Sequence, residues 1–260
     1  MKKKMTLVLS IICIICSCIA CIQISGVEQK TEIKNLAYDF KKSADHMVYI
    51  KEKGKYEAYF VLSNDYYGKT LLMRYYLLDE ARKFNIYEQN GACNAYYPNS
   101  LMDKFLSKDF YNSLSPKMRD IILDMNIDVA TKESVKPEPV WDTEKIKRKI
   151  FLLSAYEIEK DEYSYLPDEG TILKYFSEVD DRTNRIGYYK NGETNLYWLR
   201  TPGKMREFNA TAVSDYNGHI AYPQVDSKYA VRPVFCVEGN TLVFKKDIGD
   251  NKLGKVYVIE

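Results

Sequence analysis

The chain has 260 residues, 46% of them hydrophobic and 28% charged, which suits one medium domain or two small ones and excludes extensive disorder. Its mean hydropathy of −0.39 excludes a polytopic membrane protein. Lys and Arg total 38 against 36 Asp and Glu, and removing the three leader lysines Lys2, Lys3 and Lys4 leaves 35 against 36, a balance unlike the basic surface of a nucleic-acid binder.

Residues 1–21 have the form of an export signal. Lys2–Lys4 is a positive start and Leu7 to Cys21 an apolar run. Four of the six cysteines, Cys13, Cys16, Cys18 and Cys21, lie in that run, an arrangement that resembles a bacterial lipobox. Cys21 follows the small residue Ala20 and is the expected lipidation site; Cys18 after Ser17 is the alternative. Plain cleavage and retention as a short anchor are the competing readings. All three place residues 27–260 outside the cytoplasmic membrane of a bacterium.

Residues 22–47 form a tether followed by an amphipathic helix over 31–45, where Ile33, Leu36, Ala37, Phe40 and Ala44 recur at helical spacing. Tyr56–Leu62 and Lys69–Tyr75 flank a turn cluster and predict a β-hairpin. Ser100 caps a helix carrying Leu101, Phe105, Leu106 and Phe110, and Ser115-Pro116 opens another through Met118, Ile121, Ile122 and Met125. Residues 131–148 read as a polar loop. Lys149–Leu153 reads as a buried strand, and Ser154 with Glu157 has capping-box spacing. Residues 159–195 form a tyrosine-rich excursion. Strands follow at Leu196–Arg200, Thr211–Ser214 with His219–Tyr222, and Tyr229–Val237, where Pro233 requires an edge or a bulge. Residues 239–260 form a closing hairpin. Helices in the first half and strands in the second predict an α+β fold.

Catalytic and cofactor signatures are absent from the pattern. There is no nucleophile elbow, no zinc-protease helix motif and no phosphate loop, so no cofactor is expected. Two histidines, His46 and His219, and unpaired Cys93 and Cys236 do not make a metal site. Asp180-Asp181 with Asn184, and Asp247, Asp250 with Asn251, lack the spacing of a calcium loop and read as solvated turns. Glu138 to Asp142 only faintly resembles a sugar-binding lectin loop, and His219 near Asp215 reads as a polar hairpin residue rather than a base. Cys93 and Cys236 are the cysteines outside the leader; they permit a disulfide, while the apolar neighbours of Cys236 favour a buried thiol.

Four segments together carry a family resemblance: Leu101–Tyr111, Lys149–Glu157, Tyr197 to Pro202 with its Trp198-Leu199-Arg200-Thr201-Pro202 motif, and Val231-Arg232-Pro233-Val234-Phe235 after Gly218. In this order they resemble a bacterial domain-of-unknown-function family of exported proteins, over residues 48–238. That family is distantly similar to C-type-lectin-like, formylglycine-generating proteins. The similarity implies a single lectin-like domain with Trp198, Arg200, Gly218 and Arg232 as framework. Formylglycine generation would need a pair of nearby cysteines, and only Cys236 is in the right region.

The expected function is surface-anchored recognition of a glycan or protein without catalysis; an unrecognised enzyme and a purely structural lipoprotein are the alternatives. The expected binding surface is the excursion, with Tyr163, Tyr165, Tyr175, Tyr188 and Tyr189 as stacking faces and carboxylates such as Asp161, Asp168, Asp180 and Asp181 as acceptors for sugar hydroxyls, together with the loop from Gly203 to Asn209. No nucleic acid is expected as a partner. Mass spectrometry of the processed N-terminus from a membrane fraction should find a diacylglyceryl-modified Cys21; an unmodified residue beyond position 21 would contradict the lipid anchor.

Overall fold

Two tight hairpins begin the main sheet. Lys53-Gly54 and Tyr67-Gly68 all have positive φ, between 47° and 81°, the geometry of two-residue turns whose twist matches the strands they join. They connect β2 (Met47–Glu52), β3 (Lys55–Tyr66) and β4 (Lys69–Arg74). This computed structural model describes residues 29–38, 46–88, 94–136, 141–159, 167–177, 182–203 and 208–259. The leader and Cys21 lie outside them. Among the described residues no helix is long and apolar enough to cross a membrane.

The eight-stranded sheet runs in the order β1-β14-β15-β2-β3-β4-β13-β8. Its other members are β1 (Lys30–Glu32), β8 (Ile150–Phe151), β13 (Val234–Val237), β14 (Leu242–Asp247) and β15 (Lys255–Val258). The closing hairpin thus joins the main sheet through the parallel pairing of β15 with β2. Three smaller sheets accompany it among the described residues: β9 (Tyr197–Pro202), β10 (Ala210–Val213) and β11 (Ile220–Ala221); β5 (Arg82–Lys83) with β12 (Lys228–Tyr229); and β6 (Met125–Ala130) with β7 (Thr143–Arg148).

The fold is mixed and mostly strand. The longest helix among the described residues, α1, covers residues 101–113 with a π-helical middle, Phe105–Phe110. Ser100 caps it as expected, its Oγ accepting from the Asp103 N–H at 3.1 Å. Ser115 caps α2 (Pro116–Ile121) in the same way. The capping box of Ser154 and Glu157 opens α3 (Ala155–Ile158), and α4 is Lys174–Ser177.

The expected division of helices to the first half and strands to the second is corrected. Helical turns continue to Thr183–Arg185, and seven strands precede residue 149. Period-two patterns outcompeted helical ones at two places. The helix after Ser115 stops at Ile121, because Met125, Ile127 and Val129 bury alternate side chains from β6. The polar stretch expected as a loop supplies β7, whose six residues pair with β6 in register. The helix expected over 31–45 is β1 and a single turn, Ile33–Leu36, in the described part; 39–45 lie outside it. The strand expected over 229–237 is broken by Pro233 into β12 and β13.

Register assigns the faces of the main sheet. Val48, Ile50 and Glu52 share one face with Glu57, Tyr59 and Arg74; Met47 and Tyr49 share the other with Ala58, Phe60 and Met73.

The core is locked by an ion pair. Arg200 on β9 and Glu157 on α3 are both fully buried. All five guanidinium N–H groups are used: Nη1 and Nη2 donate to the two Glu157 oxygens at 2.8 and 2.9 Å, and the rest to the carbonyls of Asp128, Leu152 and Glu169 at 2.9, 2.8 and 3.1 Å. Glu157 also accepts from the Tyr66 hydroxyl at 2.6 Å and from the Ser154 N–H at 2.9 Å. Burial works against the Arg200 charge, but Glu157, Tyr66 and Glu169 together more than offset it and raise the pKa. A Cβ at position 170 would lie 2.4 Å from Glu157 Oε1, and Gly170 has φ +99°, so glycine is required there.

Glu169 is the titrating member of this centre. Its carboxylate accepts from the Ala130 N–H at 2.6 Å and meets the Thr201 hydroxyl. Burial raises its pKa from 4.5 to about 7, against the pull of Arg200, Thr201 and Ala130. The folded state therefore holds this proton more tightly than the unfolded chain. The resulting stabilisation is complete below about pH 4.5 and is lost as pH rises through 7. Glu169→Gln should shrink the fall in melting temperature between those pH values; an unchanged pH profile would exclude Glu169 as its source. Arg200→Ala should cost about 3–5 kcal/mol in chemical denaturation, because it leaves Glu157 buried and unpaired; a loss under 1 kcal/mol would contradict the lock.

Candidate functional site

Ala58 opens a groove among aromatic side chains. It stands opposite Tyr49, and its carbonyl accepts from the Tyr75 N–H at 2.9 Å. The small side chain leaves space where its neighbours are large. A cavity of about 450 Å³ results, lined by His46, Met47, Tyr49, Ala58, Phe60, Tyr75, Tyr76 and Tyr175.

The walls are rings held against one another. Tyr175 of α4 packs on Phe60 at 4.8 Å and edge-on to Tyr38 at 4.9 Å, while Tyr75 and Tyr76 meet edge-on at 4.9 Å. His46 lies 5.8 Å from Phe60, with Nδ1 2.8 Å from the Leu36 carbonyl. That contact places the proton of a neutral ring on Nδ1 and makes Nε2 an acceptor. Burial pushes the Tyr175 phenol up, and the nearby Arg232 charge pulls it back. The groove therefore offers ring faces, hydroxyls and an imidazole, and among the described residues its lining includes no carboxylate.

The opposite face of the same strands carries a charged cleft of about 400 Å³. Arg74 lies at its floor. Its Nε donates to Glu52 at 2.9 Å, its Nη2 to Glu57 at 2.9 Å, and its Nη1 to the carbonyls of Tyr76 and Leu77. Tyr59 donates to Glu52 at 2.5 Å and Lys190 to Glu57 at 2.8 Å. Arg82 lies 3.8 Å from the Phe105 ring centre and pairs with Glu80. Both buried carboxylates are thus already engaged by cations. Among the described residues no group of three or more His, Cys, Asp or Glu side chains is arranged to hold a metal ion.

The framework residues sit at close-packed points. Trp198 is fully buried, donates to the Arg82 carbonyl at 2.7 Å and packs on Phe84 and Tyr229. Gly218 has φ +68°, and a Cβ there would lie 2.4 Å from the Arg182 carbonyl. Arg232 is 5% exposed and donates to the Arg74 carbonyl at 3.0 Å.

Of the excursion's expected aromatic faces, Tyr175 is the one among the described residues that lines a cavity. Tyr188 is exposed and bridges to Thr194, Tyr189 packs against the core, and neither lines the groove or the cleft. Their neighbour Lys190 lines the cleft, and Tyr175 lines the groove. Tyr163, Tyr165, Asp180 and Asp181 lie outside the described residues, as do 204–207 of the second loop. Asp247 and Asp250 accept from the N–H groups of Gly249 and Lys252 at 2.8 and 2.9 Å and so shape a turn. His219 faces Arg182 at 3.4 Å. The groove residues His46, Tyr49, Phe60 and Tyr75 were not singled out from sequence; the available signal was a lone alanine between aromatics, Tyr56-Glu57-Ala58-Tyr59-Phe60, followed by Tyr75-Tyr76.

Residues 67–239 match a protein family described as a domain of unknown function, DUF6273. No curated protein and no solved structure matches the chain.

Cys236 is a free, fully buried thiol on β13, and burial pushes its pKa up; Cys93 lies outside the described residues. In the native, unreduced protein Cys236 should resist thiol reagents and in denaturant it should react. Failure to react before reduction would show that it is bridged.

Proposed function

We propose a recognition function, without catalysis, for this chain, which belongs to the DUF6273 family of unknown function. The ligand is a carbohydrate and the site is the aromatic groove. The observation that carries this reading is the cavity at Ala58, walled by Tyr49, Phe60, Tyr75, Tyr76 and Tyr175. Apolar faces of sugar rings stack on aromatic faces, and phenol and imidazole groups pair with their hydroxyls. A groove of this size and lining suits a small ligand with mixed character. The commitment of Glu52 and Glu57 to Arg74 in the charged cleft supports binding over acid–base chemistry.

Export and anchoring through Cys21 are part of the same proposal. Their support is the lysine-led apolar leader with Ala20 before Cys21. A likeness to C-type-lectin-like proteins belongs to the same proposal; it is supported by the strand that follows Arg232-Pro233 and closes against β4. Family membership itself carries no activity.

Titration of the full chain against a panel of neutral and acidic oligosaccharides tests the reading. At least one should bind, and Tyr75→Ala and Tyr175→Ala should each weaken it about tenfold, or 1.4 kcal/mol. Tyr75 is 41% exposed, so its replacement should leave the melting temperature nearly unchanged. Binding by none of the panel, or binding untouched by both substitutions, would overturn the proposed site.

A further inference from the structure

Among the described residues, buried guanidinium groups are held by carboxylates, with one exception. Arg200 has Glu157, Arg74 has Glu52 and Glu57, and Arg185 has Glu159 at 2.7 Å. Arg232 is equally buried, at 5% exposure, but no carboxylate among the described residues pairs with it. Its Nε donates to the Arg74 carbonyl, its guanidinium lies 5.6 Å from the Tyr197 ring centre, and its Nη1 is buried without a hydrogen-bond partner. A buried charge left in this condition is costly, and arginine does not escape the cost by losing its proton.

The position of Arg232 gives that charge a use. The carbonyl that it holds belongs to the peptide linking Arg74 to Tyr75, and Tyr75 and Tyr76 form one wall of the aromatic groove. On the other wall, Arg232 is the foremost charge acting on the Tyr175 phenol. Among the described residues the groove lining contains no carboxylate to repel an anion, whereas the charged cleft on the opposite face has Glu52, Glu57, Asp79, Glu80 and Asp109.

We propose that the groove is specific for an acidic sugar, a ring bearing a carboxylate such as a hexuronic acid. The ring stacks between Tyr75 and Tyr175, and its carboxylate sits in the field of the unpaired Arg232, which is buried behind the Tyr75 backbone and is not itself a lining residue. This rests on the carbohydrate-binding reading above and adds the class of sugar.

The test compares two ligands differing in one group, a glucuronic acid disaccharide and the glucose disaccharide of the same linkage, by calorimetric titration of the full chain. The acidic sugar should bind at least tenfold more tightly, and raising the salt concentration should narrow the gap. Arg232→Gln should abolish the preference, read as the ratio of the two affinities within the variant, and Arg232→Lys should keep part of it. Equal wild-type affinity for the two sugars would overturn the specificity and leave carbohydrate recognition standing. Binding of neither, with no other glycan bound, would overturn both. The wild-type comparison and its salt dependence hold even where an Arg232 variant does not fold.

Discussion

The Arg200–Glu157 pair is the constraint on which the arrangement of the chain depends. Two charges taken fully out of water are stable only when every donor and acceptor is matched, and here they are. The matching partners come from β3, β6, the segment between β8 and α3, and the loop before Gly170. Each segment must therefore arrive within hydrogen-bond distance for any of them to be satisfied. The same Glu157 closes the capping box of α3, so a local helix signal and a long-range ion pair share one carboxylate. This sharing explains why so short a helix persists where its intrinsic stability is negligible.

Alternation along β2, β3 and β4 separates two chemistries across one sheet. One face gathers Arg74 and its carboxylates, the other the ring-walled groove. The segment matching the family contributes Tyr75, Tyr76, Tyr175 and Arg232, and β2 and β3 before it contribute Tyr49, Ala58 and Phe60. In this account the family segment supplies the charge and the walls, while the preceding strands supply the floor. A change at position 58 would alter the shape of the groove without touching the buried ion pair.

Much of the fold was legible because its signals are local. Ser100, Ser115 and Ser154 cap helices as their spacing indicates, and the hairpins around Tyr67-Gly68, Gly218 and Asn251 form. Where reading failed, a longer-range pairing decided the outcome. Met118 to Met125 fits a helical stripe, yet β6 takes Met125 because β7 stands ready to pair with it. β7 itself is disguised by Lys145, Lys147 and Arg148, which suit an exposed strand as well as a loop. Lys53-Gly54 was a turn signal of the same kind as Tyr67-Gly68 and went unread. The site was less legible than the fold. Trp198, Arg200 and Gly218 lie at buried, close-packed points, but the groove depends on Tyr75 and Tyr175, exactly one hundred residues apart, meeting over Ala58. No spacing along the chain encodes that meeting.

The central claim is that an acidic sugar occupies the groove at Ala58. Amide chemical-shift mapping of the isotope-labelled chain during titration with a glucuronic acid disaccharide tests it most directly. The account predicts shifts concentrated at Tyr49, Ala58, Phe60, Tyr75 and Tyr175, together with movement of the Arg232 side-chain Nε signal. Shifts centred on the hairpin of Tyr188 and Tyr189, or no shifts at all, would contradict it.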